Sequence, residues 1–259
     1  MVIFAGPCFL GPMVTNPPIK AFRAAARIAL PALLMLAVMF TAPPVQAGLD
    51  TRPTASLSPR EARAQAQALA AGEPFVTLDR GRIAGIKTTE ITASIDIAAP
   101  PATVWAVMTD CDAALSIVPH LQSCTVLEKG SFMAGAQAPD RMSDVRRHVV
   151  RYSRLLPLTV NEFRSDYQRD LSITFEKSGG DLKVLVGSWR LEPRDDGKAT
   201  RVHYQASLAI GQPVPVFLLK RITHGDTKKI LRNLRDLSAR QYQDQLATAR
   251  QSQAGTTPR

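Results

Sequence analysis

Residues 95–128 read IDIAAPPATVWAVMTDCDAALSIVPHLQSCTVLE. The opening residues close a segment, 88–98, in which Ile91, Ala93, Ile95 and Ile97 alternate with polar neighbours. That period of two is the signature of a strand with one covered face. Pro100 and Pro101 cannot extend a ladder, and proline suits the first turn of a helix. The stretch ATVWAVMTD after them carries Val104, Trp105, Val107 and Met108, apolar enough for a short buried helix. CDAALSIVPHLQ then reads as a loop with one helical turn, and SCTVLEKG as the next strand.

Toward the C-terminus, the same alternation predicts strands at 144–155, 158–165, 170–177, 182–192 and 200–210. Gly179-Gly180-Asp181 and Asp195-Asp196-Gly197 punctuate them as hairpin turns. In the last strand Val202, Tyr204, Ala206 and Leu208 alternate with Arg201, His203, Gln205 and Ser207, so one face is covered and one is wet. Past Pro213 and Pro215 the period becomes helical, from Val216 to about Leu246. Phe217, Leu218, Ile222, Ile230, Leu231, Leu234, Leu237 and Tyr242 fall mostly on one stripe, with Lys228, Lys229, Arg232, Arg235 and Arg240 off it. This order predicts an α+β fold, an antiparallel sheet curled around one long helix with an apolar cavity between them.

Toward the N-terminus, Ser58-Pro59-Arg60-Glu61 carries the signals of a helix start, and the helix should stop at Gly72. It is rich in alanine and belongs on the surface. Residues 48–59 are Thr, Pro, Ser and Ala in the main and read as a tether. Before them, Lys20, Arg23 and Arg27 precede Ile28–Ala42, fifteen residues without a charge, followed by Pro43-Pro44 and then Val45-Gln46-Ala47 ahead of Gly48. A basic start, a short apolar run and small residues at a cleavage point are the pattern of a secretory signal; the run falls short of the roughly 20 residues a membrane span needs. Met13 would begin a signal of more usual length. The expected organisation is a signal at 1–47, a tether with a short helix at 48–84, one domain at 85–247, and a disordered polar tail at 248–259.

The chain has 32 Lys and Arg against 22 Asp and Glu, a formal net charge of +10. Cleavage after Ala47 removes three cations and leaves +7. Export turns this surplus away from nucleic acid and toward an anionic membrane surface as the natural counter-charge. It also leaves Cys111 and Cys124 as the two cysteines, which in an oxidising compartment are a disulfide or, alternatively, two buried thiols.

The stretch 95–128 resembles the opening of the START-like (SRPBCC) superfamily of helix-grip domains. It is most similar to the branch of polyketide cyclase/dehydrase and coenzyme Q-binding START proteins. The shared elements are a strand ending at Pro100, a helix with Val104-Trp105 and Asp110, and Val118-Pro119 before the second strand. GSWRLEP (187–193), ATRVHYQASL (199–208) and PVPVFLLKR (213–221) look like the last two strands and the start of the closing helix. Cys111 departs from the aromatic residue often found there. The resemblance implies a helix-grip fold that holds a hydrophobic small molecule or lipid between sheet and helix, and in some relatives aromatic ring closure or dehydration in the same space.

No catalytic set stands out. His120, His148, His203 and His224 fall in separate elements, and none is spaced as a metal ligand from another His, Cys or carboxylate. No phosphate-binding glycine loop, dinucleotide fingerprint or nucleophile elbow is present, so neither a metal nor a cofactor is expected. The cavity candidates are Trp105, His148, Tyr152, Trp189, Tyr204, Phe217, Ile222, Ile230 and Leu234. Among these, Trp105 suits the core. His148 lies in the basic strand SDVRRHVVRYSR, whose two faces both mix charge with apolar residues. The bland expectation is a solvent-facing histidine among Arg146, Arg147, Arg151 and Arg154. The sharper one is an inward imidazole that, with Tyr152 and Tyr204, orients a carbonyl or moves a proton. The leading expectation is a periplasmic monomer that binds a lipid, quinone or other apolar molecule; the alternative is a cyclase or dehydratase.

Overall fold

A computed structural model describes residues 57–130, 141–152, 157–211 and 216–254. The predicted signal, most of the tether, Pro213, Pro215 and the end of the tail lie outside the described residues. The first element is helix α1, Pro59–Ala70, and its start matches the sequence signals. The Ser58 side chain accepts from the Glu61 N–H, and the Glu61 carboxylate accepts from the Ser58 N–H at 2.8 Å. Leu69 is its one buried residue, and Gln65 donates to Ser94 on the sheet, so α1 lies against the sheet with most of its surface wet.

Eight antiparallel strands follow, β1 (Phe75–Ile83), β2 (Ile86–Ile97), β3 (Leu121–Lys129), β4 (Arg141–Val150), β5 (Thr159–Gln168), β6 (Ser172–Gly180), β7 (Leu182–Arg194) and β8 (Ala199–Ile210). They form one sheet in the order β1-β2-β8-β7-β6-β5-β4-β3. The sheet starts ten residues earlier than the expected boundary at 85, because β1 pairs with β2 along its whole length. Their turn is Ala84-Gly85, both left-handed at φ 47° and 82°, as a two-residue hairpin that follows the sheet twist requires.

Between β2 and β3 the chain must travel from the middle of the sheet to its far edge, and two short helices make that journey. These are α2 (Pro101–Thr109) and α3 (Cys111–Ile117), with Asp110 capping α3 through the Asp112 N–H. Register shifts at Leu121/Ser123, Val126/Glu128, Glu162/Phe163 and Leu182/Val184 add local bends, and such bulges increase twist and curl a sheet.

The sheet curls around α4, Val216–Ala254. At 1.5 Å per residue its 39 residues span roughly 58 Å. It continues past the expected end near Leu246, so most of the predicted disordered tail is helical. Its middle presents Leu231 and Leu234, at 0% and 1% exposure, to Ile95, Ile97, Val104, Val107, Leu191 and Val202. Each such side chain contributes about 1.5–3 kcal/mol when fully buried. The core therefore lies between the sheet, α2 and the middle of α4. Earlier on α4, Ile222, Gly225 and Asp226 line an open space instead of this core. This is the helix-grip arrangement that the resemblance implied.

Candidate functional site

Adjacent antiparallel strands bring directly paired residues onto one face. The registers Ser165↔Phe175, Phe175↔Gly187 and Gly187↔Ala206 run across the concave side, as do Tyr167↔Ile173, Ile173↔Trp189 and Trp189↔Tyr204. Gly187 is needed here. A Cβ at that position would stand 2.5 Å from the Phe175 ring and 2.4 Å from the Gln205 carbonyl oxygen, so its absence lets the ring lie flat on the strand.

The result is an aromatic band across five strands. His148 meets Phe163 edge-on at 4.9 Å, Phe163 meets Phe175 at 6.4 Å, Phe175 stacks with Tyr204 at 6.3 Å, and Tyr204 stacks with Trp189 at 4.1 Å. Burial pushes the Tyr204 phenol well above its ordinary range. Under this band lies a cavity of about 130 Å³. Its sheet wall includes Phe163, Ile173, Phe175 and Trp189, and its helical wall consists of Met108 from α2, Ala114 and Ile117 from α3 with Val118 beyond it, and Ile230 and Leu234 from α4.

One end of the cavity is polar. Because β4 alternates, Asp144, Arg146, His148 and Val150 share its inward face, and Asp144 and Arg146 are only 7% and 8% exposed. A buried cation of this kind must be paired and hydrogen-bonded. Arg146 Nε donates to Asp144 Oδ2 at 2.8 Å, and its Nη2 donates to the Thr109 carbonyl at the end of α2, also at 2.8 Å. The Tyr167 hydroxyl donates to Asp144 Oδ1 at 2.8 Å, and the guanidinium lies 5.5 Å from the centre of the Tyr167 ring. Burial is the main reason that the Tyr167 phenol resists ionisation.

His148 also lines the cavity, which overturns the expectation of a solvent-facing histidine. Burial, reinforced by the Arg146 charge, pushes its pKa down to about 4, so the imidazole is neutral at physiological pH. Asn161 sits opposite His148 in the sheet, and its buried Oδ1 has no partner among the described residues. The charge run likewise divides by face: Arg147 points outward to Glu162 at 2.7 Å, whereas Arg146 points in.

A second opening, of about 310 Å³, lies beside the N-terminal half of α4. Arg221, Ile222, Gly225, Asp226 and Lys229 line it from the helix, and His120 and Tyr152 from the opposite side. The His120 and Tyr152 rings are 5.6 Å apart, and His120 Nε2 is 3.9 Å from Asp226 Oδ1. Burial raises the Asp226 pKa above the usual carboxylate value, and burial also raises that of Tyr152.

Of the residues singled out in the sequence, His148, Trp189, Ile230 and Leu234 line the inner cavity, and Tyr152 and Ile222 line the outer opening. Tyr204 supports the inner wall through its stack on Trp189. Trp105 packs on the core and meets Tyr167 edge-on at 5.9 Å, behind the wall. Phe217 belongs to α4, but its side chain lies outside the described residues. Sequence reasoning missed Asp144, Arg146, Phe163, Tyr167 and Phe175. The Asp-x-Arg-x-His spacing was the available signal, since a period of two puts all three on one face.

Cys111 and Cys124 are joined by a disulfide that ties the start of α3 to β3. At the other end of α3, Asn233 of α4 donates to the Ile117 carbonyl at 3.0 Å. No group of three or more metal-ligating side chains is assembled among the described residues.

The family model described as polyketide cyclase / dehydrase and lipid transport matches residues 97–235. No curated protein matches the chain. Among solved structures, the Zhui aromatase/cyclase from Streptomyces sp. R1128 is 16% identical, covering 59% of this chain and 94% of its own, with a TM-score of 0.48. The STAR-related lipid transfer protein from Xanthomonas axonopodis (fragment 25–204) is 17% identical over 63% of this chain and 98% of that one, with a TM-score of 0.46. TTHA0849 from Thermus thermophilus is 17% identical over 57% and 96%, again with a TM-score of 0.46. With the family match spanning more than half of its length, the chain belongs to the START-like polyketide cyclase/dehydrase and lipid transport family.

Proposed function

We propose that the protein is an exported carrier that holds a hydrophobic small molecule, a lipid or a ring compound such as a quinone, between its sheet and α4. The observation that carries this reading is the inner cavity, apolar and aromatic over most of its wall with a few fixed polar groups at one end. That combination binds apolar ligands and orients them by one or two hydrogen bonds. The neutral His148, which lines the cavity, offers a donor and an acceptor for such a bond. Export is supported by the residue pattern at 20–48 and by a disulfide, which persists in oxidising compartments. Fractionation of cells and N-terminal sequencing of the processed protein should find it in the envelope fraction, starting at Gly48.

The test of binding uses Trp189, which lines the cavity. A quinone bound there should quench its fluorescence, and Trp189→Phe should remove most of the quench while Trp105 remains. Solvent extraction of protein purified from its native host, followed by mass spectrometry, should release a stoichiometric apolar compound. An empty extract together with no quench by any quinone or lipid would sink the carrier reading.

A second reading, a cyclase or dehydratase, is favoured by one observation: a neutral imidazole next to a buried guanidinium in the same apolar wall. Such a pair polarises a carbonyl and moves a proton. Turnover of a poly-ketone substrate that is lost in His148→Phe, with binding retained, would establish it.

A further inference from the structure

The outer opening and the inner cavity lie along one line of α4. Ile222, Asp226, Ile230 and Leu234 follow each other at intervals of four and so share a helix face. Asp226, which lines the opening, stands roughly 6 Å along the axis from Ile230, which lines the cavity. Gly225 stands in the interior of this helix without a left-handed backbone, and no atom lies within 4 Å of the place where its Cβ would be. Glycine is the worst helix former after proline, and no close packing requires it here. Its effect is to keep the opening clear.

The rim of this opening is charged, which an apolar guest alone does not call for. Arg221 and Lys229 bracket it from two turns apart, and neither is in a salt bridge among the described residues. The carboxylate between them, Asp226, lies 3.9 Å from His120 and also feels the Lys229 charge, while burial raises its pKa. Tyr152, 43% exposed, brings a hydroxyl donor from the opposite side. Two cations and a phenol around an opening fit an anion, and the apolar-walled cavity begins one turn further along α4.

We infer that the outer opening holds the acidic head, carboxylate or phosphate, of an amphiphile whose apolar part runs along α4 into the inner cavity. This deepens the carrier reading and rests on it. Affinities of the full-length protein for dodecanoate, dodecyl phosphate, methyl dodecanoate and inorganic phosphate separate the two. The two acids should bind about tenfold or more tighter than the ester. In Arg221→Ala/Lys229→Ala that advantage should vanish with ester affinity unchanged. Gly225→Leu should weaken all three chain-bearing probes without lowering the melting temperature. Equal binding of acid and ester by the wild type would overturn the head site and leave the carrier reading standing. Failure of all three chain-bearing probes would overturn both. Inorganic phosphate binding as tightly as dodecyl phosphate would overturn the amphiphile, leaving a free-anion site.

Discussion

Arg146 is held by three different parts of the chain, a neighbour two residues back, the end of α2, and the ring of Tyr167. Removing its counter-charge leaves a buried guanidinium unpaired, so Asp144→Ala should cost about 3–5 kcal/mol in urea unfolding. Asp144→Leu/Arg146→Met, which removes both charges, should cost far less, and the contrast identifies the cause. His148 makes a pH prediction. Its folded pKa of about 4 lies below the ordinary 6.5, so between those values the unfolded chain binds a proton that the folded protein refuses. Stability should be full above pH 6.5, fall as the pH drops toward 4, and level off below; the loss from this group is on the order of 3 kcal/mol at most. An NMR titration of the ring should show no protonation down to about pH 5. These inward groups were hard to read from the sequence because their charges cancel in space. SDVRRHVVRYSR looks like a solvated strand, yet Asp144 neutralises Arg146 on the covered face, while Arg147 finds Glu162 on the other.

Among the elements, α3 is the smallest and the most heavily pinned. It supplies Ala114 and Ile117 to the cavity wall, with Val118 just after it, and it is held by the disulfide at its start and Asn233 at its end. Closing a loop between cysteines 13 apart is worth about 3 kcal/mol. Reduction should therefore lower the melting temperature and speed amide exchange in 111–118, while β7 and β8 stay protected. Elements with clear local chemistry were legible: α1 through Ser58 and Glu61, α2 through its prolines, β2 and β8 through alternation. β1 was not. Its FVTLDRGRI places Asp79, Arg80 and Arg82 along a sheet edge, and its turn uses Ala84 where Asn or Gly would have announced a hairpin. The last turns of α4 were missed because ATARQSQA has helix-forming residues without an apolar stripe.

For the whole molecule, the strand order contains one long-range junction. Every neighbouring pair is consecutive in sequence except β2 and β8, where Ile95 faces Val202. The remaining strands, β3 to β8, form a meander of local hairpins. Non-local pairings of this kind slow folding to the millisecond-to-second range. Pulse-labelled hydrogen exchange during refolding should show amides of β4–β7 protected before those of β2. The helix-grip outline was legible because alternation and the 3.6-residue period each leave a mark on sequence; which strand closes the sheet does not.

The β2–β8 junction also bears on the direction of synthesis. A ribosome finishes β2 about a hundred residues before it makes β8, so a newborn chain carries an open sheet edge with Ile91, Ile95 and Ile97 uncovered for that whole interval. At roughly 5–20 residues per second this lasts on the order of ten seconds. An unpaired apolar edge is a template for aggregation. The chain is therefore most vulnerable while unfinished, and a holding chaperone, rather than a faster fold, is what its topology calls for.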